Sequence, residues 1–125
     1  MKFEDEKYWR GLINQGLIRF FLLKVLYADK EAYGYGLVKR IEEISDGLCR
    51  PTESTIYPAL EQLHSGGYVD MIMVSATPGQ RPSGSATGKK VRKVYSLNEK
   101  GRSAFRAAAK TYGEILPVLR SSIML

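Results

Sequence analysis

Apolar positions along the chain recur at helical spacing over residues 8–28, where Leu12, Ile13, Leu17, Phe20, Phe21 and Leu26 follow one another at intervals of about three and four. The pattern predicts one long helix, or a short helix running into a longer one. Its second part is apolar nearly all round, with Phe20, Phe21, Leu22, Leu23 and Val25 in succession. Such a helix has to be covered on several sides, and part of that cover is expected from another chain. After a polar break at Asp29–Ala32, a second helix is expected from Tyr33 to about Ser45, with Leu37, Val38, Ile41 and Ile44 on one face. Asp46–Gly47 should end it, because Gly accepts the left-handed cap conformation, and Pro51 prevents any continuation. Thr52 or Ser54 then caps a third helix reaching about His64, with Ile56, Ala59, Leu60 and Leu63 inward. Pro58 leaves the start of this helix open, since an interior Pro removes a backbone hydrogen bond. Gly66–Gly67 closes it.

The rest of the chain changes character. Tyr68–Val74 and Val91–Leu97 are rich in strand-forming residues, and the tract SATPGQRPSGSATGKK between them holds no core-forming side chain. This predicts a hairpin with a long polar tip, mobile over Ser75–Gly88. Asn98 caps a final helix whose apolar residues, Phe105, Ala108, Ala109, Tyr112, Ile115, Leu116, Leu119 and Ile123, form a stripe. A terminal helix of this length has little left in its own domain to pack on. The stripe is therefore expected to be a dimer interface, joined by Leu17 and Phe20 of the first helix. Pro117 could bend the helix, and there are no internal repeats.

Charge sharpens this picture. The 125 residues carry a net charge of +6, but the segment Arg81–Arg106 holds eight Lys and Arg against Glu99 alone, a local excess of +7. Three helices followed by a hairpin is the order of a winged helix-turn-helix, in which the third helix enters the major groove of DNA and the hairpin lies along the backbone. The basic excess falls on that wing and the start of the following helix, so the expected partner is double-stranded DNA. The expected fold is mainly α with a small β-hairpin. Residues 1–97 would form the winged helix-turn-helix domain, with a helical extension at 1–16, a recognition helix at about 53–65 and a wing at 68–97. Residues 98–125 would be a C-terminal dimerisation helix.

Other chemistry finds little support. The lone Cys49 has no disulfide partner, and too few Cys and His exist for a structural zinc. No nucleophile with a base, Gly-rich phosphate loop or metal-ligand spacing appears, so neither catalysis nor a cofactor is expected. The most apolar run, Leu17–Ala28, is interrupted by Arg19 and Lys24, and the acidic start MKFEDEKYWR does not suit a signal peptide. A cytoplasmic protein with no membrane partner is expected.

The segments YGYGLVKRIEE (Tyr33–Glu43), STIYPALEQLHSGGYV (Ser54–Val69) and GKKVRKVYSLNEKGRSAF (Gly88–Phe105) resemble the PadR family of bacterial transcriptional regulators. The likeness covers most of residues 12–106. Asn98 stands where that family usually has Thr, a harmless exchange at a helix cap. A single short C-terminal helix is similar to the compact subfamily. The resemblance implies a homodimeric repressor on a palindromic operator near its own or a neighbouring gene, dimerised by the C-terminal helix packing on the partner's first helix. It also implies an aromatic small-molecule effector.

The candidate DNA contacts are Thr52, Ser54, Thr55 and Tyr57 at the start of the third helix, where hydroxyls meet phosphates or base edges, with Arg50 before them as a phosphate clamp. The alternative roles are capping for Thr52 and Ser54 and core packing for Tyr57. Glu53 should point away from phosphates or read a cytosine amino group. Strand alternation prevents Arg92 and Lys93 from facing one phosphate track. Lys89, Lys90 and Arg92 are thus the wing candidates, with Arg81 at the tip for the minor groove. Lys39 and Arg40 are expected to face solvent or pair with Glu42 and Glu43. Tyr8 and Trp9 are the effector candidates, against a simpler role for Trp9 in anchoring the N-terminal segment. Cys49 is expected to be an inert small residue and His64 a surface or cap residue. A different class also fits the pattern: a winged-helix module that binds an acidic protein partner.

Overall fold

The first helix, α1 (Glu6–Asp29), is continuous over 24 residues and starts at Asp5, whose side chain accepts from the Lys7 N–H. Its later turns supply Ile18, Leu22, Leu23, Val25 and Leu26 to the core. Full burial of such side chains stabilises a fold by roughly 1.5–3 kcal/mol each. The computed structural model describes residues 2–75 and 91–124.

At the end of α1, Lys30 adopts a left-handed φ of 71° while its N–H still bonds Leu26 C=O, and the chain turns into a short strand, β1 (Glu31–Tyr33). This strand replaces the expected polar break. A single 3-10 turn, Gly34–Gly36, precedes α2 (Leu37–Ile44), so the second helix is shorter at its start than the sequence predicts. Asp46 and Gly47, both with positive φ, end it as expected. The buried Ser45 hydroxyl accepts from Cys49 N–H at 3.0 Å and lies 3.2 Å from the Cys49 carbonyl, which fixes the turn into α3 (Glu53–Ser65). Cys49 is fully buried, and burial pushes its thiol above the ordinary range.

Strands β2 (Val69–Ser75) and β3 (Val91–Leu97) pair antiparallel, and β1 joins the free edge of β3, giving the order β1–β3–β2. Register decides the two faces of this sheet. Tyr95 and Leu97 on β3, with Met71 and Val69 opposite them on β2 and Ala32 opposite Tyr95 on β1, turn to the helices. Arg92 and Val94, with Tyr33 and Ile72 opposite Val94 and Val74 opposite Arg92, occupy the outer face. The whole is a winged helix, mainly α with one small antiparallel sheet.

Helix α4 (Glu99–Ile123) begins at Asn98, whose side chain accepts from Gly101 N–H and donates to Gly67 C=O. It runs back along α1: Phe105 stacks on Tyr27 and Phe20, and Tyr112 donates its hydroxyl to Gly16 C=O at 2.6 Å. Arg40 makes a two-pronged bond to Asp29 at 2.7 and 3.0 Å, with Glu43 3.9 Å away. The expected pairing of Arg40 with Glu43 is thus secondary to one that links α2 to the end of α1.

By length and composition α1 is long and apolar enough to cross a membrane, with a mean hydropathy of 1.2 over its best 18 residues. The interruptions at Arg19 and Lys24 therefore do not bring it below that length and composition. Its apolar character has another use here, since Leu22, Val25 and Leu26 are fully enclosed by the fold.

Candidate nucleic-acid interface

Helix α3 buries Ile56, Ala59, Leu60 and Leu63, which leaves Ser54, Pro58, Glu61 and Ser65 along the opposite, outward ridge. Its start is held by hydroxyls. Thr55 Oγ1 accepts from Thr52 N–H at 3.0 Å and donates to Thr52 C=O at 2.8 Å, while the Thr52 and Ser54 hydroxyls lie 2.8 Å apart. Thr55 is therefore occupied at the cap, and Ser54 stands nearest the open side. Pro58 has no N–H, so the Ser54 carbonyl lacks the usual helical donor four residues on. On the inner flank, Arg19 of α1 donates to Gln62 through Nε at 3.0 Å and through Nη2, fixing α3 against α1.

The helix carries no Lys or Arg; Glu53 and Glu61 are its charged side chains, both exposed. Attraction to a polyanion must come from elements beside it. Tyr57, 41% exposed, leans toward the 3-10 turn, where a Cβ on Gly34 would come within 3.2 Å of its ring. Gly34, Tyr35, Tyr57, Lys93 and Tyr95 line a depression of about 270 Å³ between α3 and the sheet. Burial, reinforced by Glu53, raises the Tyr57 hydroxyl above the ordinary phenol range; burial, reinforced by Glu61, does the same to Tyr95. Both remain neutral donors at physiological pH.

The placement of the wing residues follows from the sheet faces. Lys93 is exposed and lies on the Tyr95 side of β3, beside Tyr57. Arg92 lies on the outer side, its guanidinium 5.2 Å from the Tyr35 ring and 6.0 Å from the Tyr33 ring. Strand alternation separates the two as expected, but it is Lys93 that shares a surface with α3. The sequence favours Arg92 over Lys93 and gives Tyr35 no role; the alternation that groups Lys93 with Tyr95 and Leu97 is the signal that brings Lys93 back. Arg81, Lys89 and Lys90 lie outside the described residues.

Arg50 sits away from the ridge. Its N–H bonds Asn14 Oδ1 at 2.9 Å and its Nε bonds Gly47 C=O at 3.2 Å, on a groove of about 550 Å³ that it lines with Trp9, Ile13 and Leu48. Trp9 and Tyr8 pack edge-to-face at 5.2 Å, Phe3 joins them, and Trp9 Nε1 donates to Phe3 C=O. The cluster anchors the N-terminal segment while leaving Trp9 49% exposed. Among the described residues no three His, Cys, Asp or Glu side chains come together as a metal would need.

The proposed interface residues divide. Phe105 is buried in its own core, Leu17 and Phe20 pack against that core, Ala109 is half-buried, and Tyr112 is bonded to Gly16. Phe105 is thus a core residue of its own chain, because Phe20 and Tyr27 of α1 cover its ring. Leu116, Leu119 and Ile123, with Ile115 and Val118, are all more than half exposed.

Comparison with known proteins agrees with this architecture. The chain is similar in structure to a transcriptional regulator from Clostridium thermocellum, with a TM-score of 0.69, 19% identity, and coverage of 89% of this chain and 94% of that one. A PadR family transcriptional regulator from Eggerthella lenta gives 0.65 and 21%, covering 90% and 86%. Bacillus subtilis PadR in complex with operator DNA gives 0.56 and 19%, covering 74% of this chain and 46% of that one. Identities at this level carry the fold alone. Among curated proteins none matches the chain. The model of the transcriptional regulator PadR-like family, however, matches residues 22–107, from the core half of α1 through the start of α4. The chain belongs to the PadR-like family of transcriptional regulators, a family of regulators and not of enzymes.

Proposed function

We propose that this protein is a homodimeric, sequence-specific DNA-binding repressor of transcription. The observation that carries the reading is the outward ridge of α3, formed by Ser54, Pro58, Glu61 and Ser65 without an aromatic side chain, lying beside the exposed Lys93 of a strand that leads out of the most basic segment of the chain. A narrow, weakly charged ridge suits the major groove, and the wing's cations suit the flanking phosphates. The Bacillus subtilis relative was solved on operator DNA, which supports the same use of the fold here.

In this reading residues 1–97 bind DNA and residues 98–125 join two copies through Leu116, Leu119 and Ile123. Two α3 helices would enter successive major grooves about 34 Å apart on a palindromic operator. Ser54 and Tyr57 contact the DNA from α3, Thr52 and Thr55 shape the cap, and Lys89, Lys90 and Arg81 bind phosphates or the minor groove from the wing. Arg50 holds the loop before α3. An aromatic effector stacking on Trp9 and Tyr8 would release the DNA by favouring a different spacing of the two domains. The site of action is the cytoplasm.

Titration against the gene's own upstream DNA and a shuffled duplex, across a salt series, tests the reading. Tight, steeply salt-dependent binding that prefers the native fragment is expected. No binding to either duplex at low salt would refute it and favour an acidic protein partner for the wing.

A further inference from the structure

We propose that Arg92 is a positioning residue that clamps the base of the wing to the Tyr33–Tyr35 segment, leaving Lys93 as the cation of that strand which meets the DNA backbone. The proposal rests on the DNA-binding reading above and deepens it. In the sequence Arg92 comes two residues after Lys90, in the most basic segment of the chain, where a phosphate contact would ordinarily be placed. Its guanidinium is engaged elsewhere. Nη1 donates to the Tyr35 hydroxyl at 3.2 Å, and the charged plane lies over both Tyr35 and Tyr33, whose rings are 5.5 Å apart. Nε is buried against this pair with no hydrogen-bond partner among the described residues. An arginine seeking phosphate would turn that edge outward; one held by ring faces keeps it covered.

The clamp has a mechanical purpose. Tyr33 belongs to β1, which is only three residues long and pairs with β3 through Val94. Without a side-chain tie, so short an edge strand holds the hairpin weakly. Arg92 adds that tie two positions beyond the last β1–β3 pair and joins it to Tyr35, which lines the depression beside Tyr57. The angle of the wing to α3 is thereby set from the sheet's outer face. Lys93, on the opposite face, is exposed and free to reach a phosphate.

The test uses the full chain and one random-sequence duplex at a series of salt concentrations, where binding is electrostatic and slopes count phosphate contacts. Lys93→Gln should lower the slope by about 0.9, as one lost contact does. Arg92→Lys keeps the charge but loses the planar stack, so affinity should fall roughly three- to tenfold. Tyr35→Ala in that background should add nothing further, because the two residues act as a unit. The clamp is overturned if Arg92→Lys binds like the parent while Arg92→Gln lowers the slope by one contact. In the DNA-free chain, amide exchange at Tyr33 and Val94 should quicken in both Arg92→Lys and Tyr35→Ala. Unchanged exchange overturns the clamp alone, whereas failure of the parent chain to bind any duplex overturns the DNA reading beneath it.

Discussion

Gly101, in the first turn of α4, lies directly beneath the carbonyl of Tyr68: a Cβ at that position would collide with the carbonyl oxygen and come within 2.5 Å of Leu97 Cδ2. The close approach lets α4 start tightly against the hairpin, with Asn98 tying Gly67 to the same corner. Backbone cannot yield as a flexible side chain can. Gly101→Ala should therefore destabilise the chain by about 1–3 kcal/mol, read as a melting temperature lower by roughly 5–15 °C. An unchanged melting temperature would show that the corner can open without cost.

The Asp29–Arg40 pair predicts a specific acid response. The hydrogen bond from Arg40 holds the Asp29 carboxyl below its ordinary value, outweighing the opposing effect of burial. A depressed folded-state value means that the contribution is fully present above the unfolded carboxylate range, near pH 4, and is lost as pH falls through the lower folded value. Asp29→Asn lacks it throughout. The stability gap between the two chains should be constant near neutrality and close in acid; a gap that persists at pH 2 would assign the effect to packing.

Hydroxyls at the start of α3 should separate by role. Thr55→Val keeps the shape of the side chain but removes the reciprocal bonds to Thr52, and should cost about 0.5–2 kcal/mol of stability. Ser54→Ala, on the outward ridge, should leave the melting temperature nearly unchanged and alter the preference for operator over random DNA. Equal losses on both duplexes would exclude base readout by Ser54.

Exposed Leu116 and Leu119 offer a test of assembly. The double variant Leu116→Asp, Leu119→Asp should sediment as a monomer with unchanged helical content, because neither side chain belongs to the chain's own core. The parent chain should sediment as a dimer. A monomeric parent would remove residues 98–125 from the assembly model.

Periodicity along the chain determined which segments form helices, though not that the second begins only at Leu37. Leu22 and Leu26, Leu37 and Ile41, and Ile56, Leu60 and Leu63 are spaced so that one face of each helix is apolar, and burial of that face is local enough in origin to be read without coordinates. The cap residue Asn98 and the positive-φ pair Asp46–Gly47 were legible for the same reason, and the cap of α3 was narrowed to Thr52 or Ser54, of which Thr52 holds it: each satisfies or turns backbone groups within a few residues of itself. The concentration of positive charge between Arg81 and Arg106 was also legible, since charge needs no fold to be counted.

What required the tertiary structure depended on contacts between residues far apart in the chain. Glu31–Tyr33 has too few residues to announce a strand and becomes one because the edge of β3, more than sixty residues on, presents unpaired backbone groups to it. Alternation separates Arg92 from Lys93, but only the docking of the sheet on the helices decides which of them stands beside α3. The α4 stripe reads as one continuous surface from Phe105 to Ile123. Tertiary packing divides it, because α4 lies against α1 as far as Tyr112 and Gly16 and leaves the turns beyond them uncovered. A one-dimensional pattern reports that a face is apolar; which neighbour covers it is decided by the geometry that brings distant segments together.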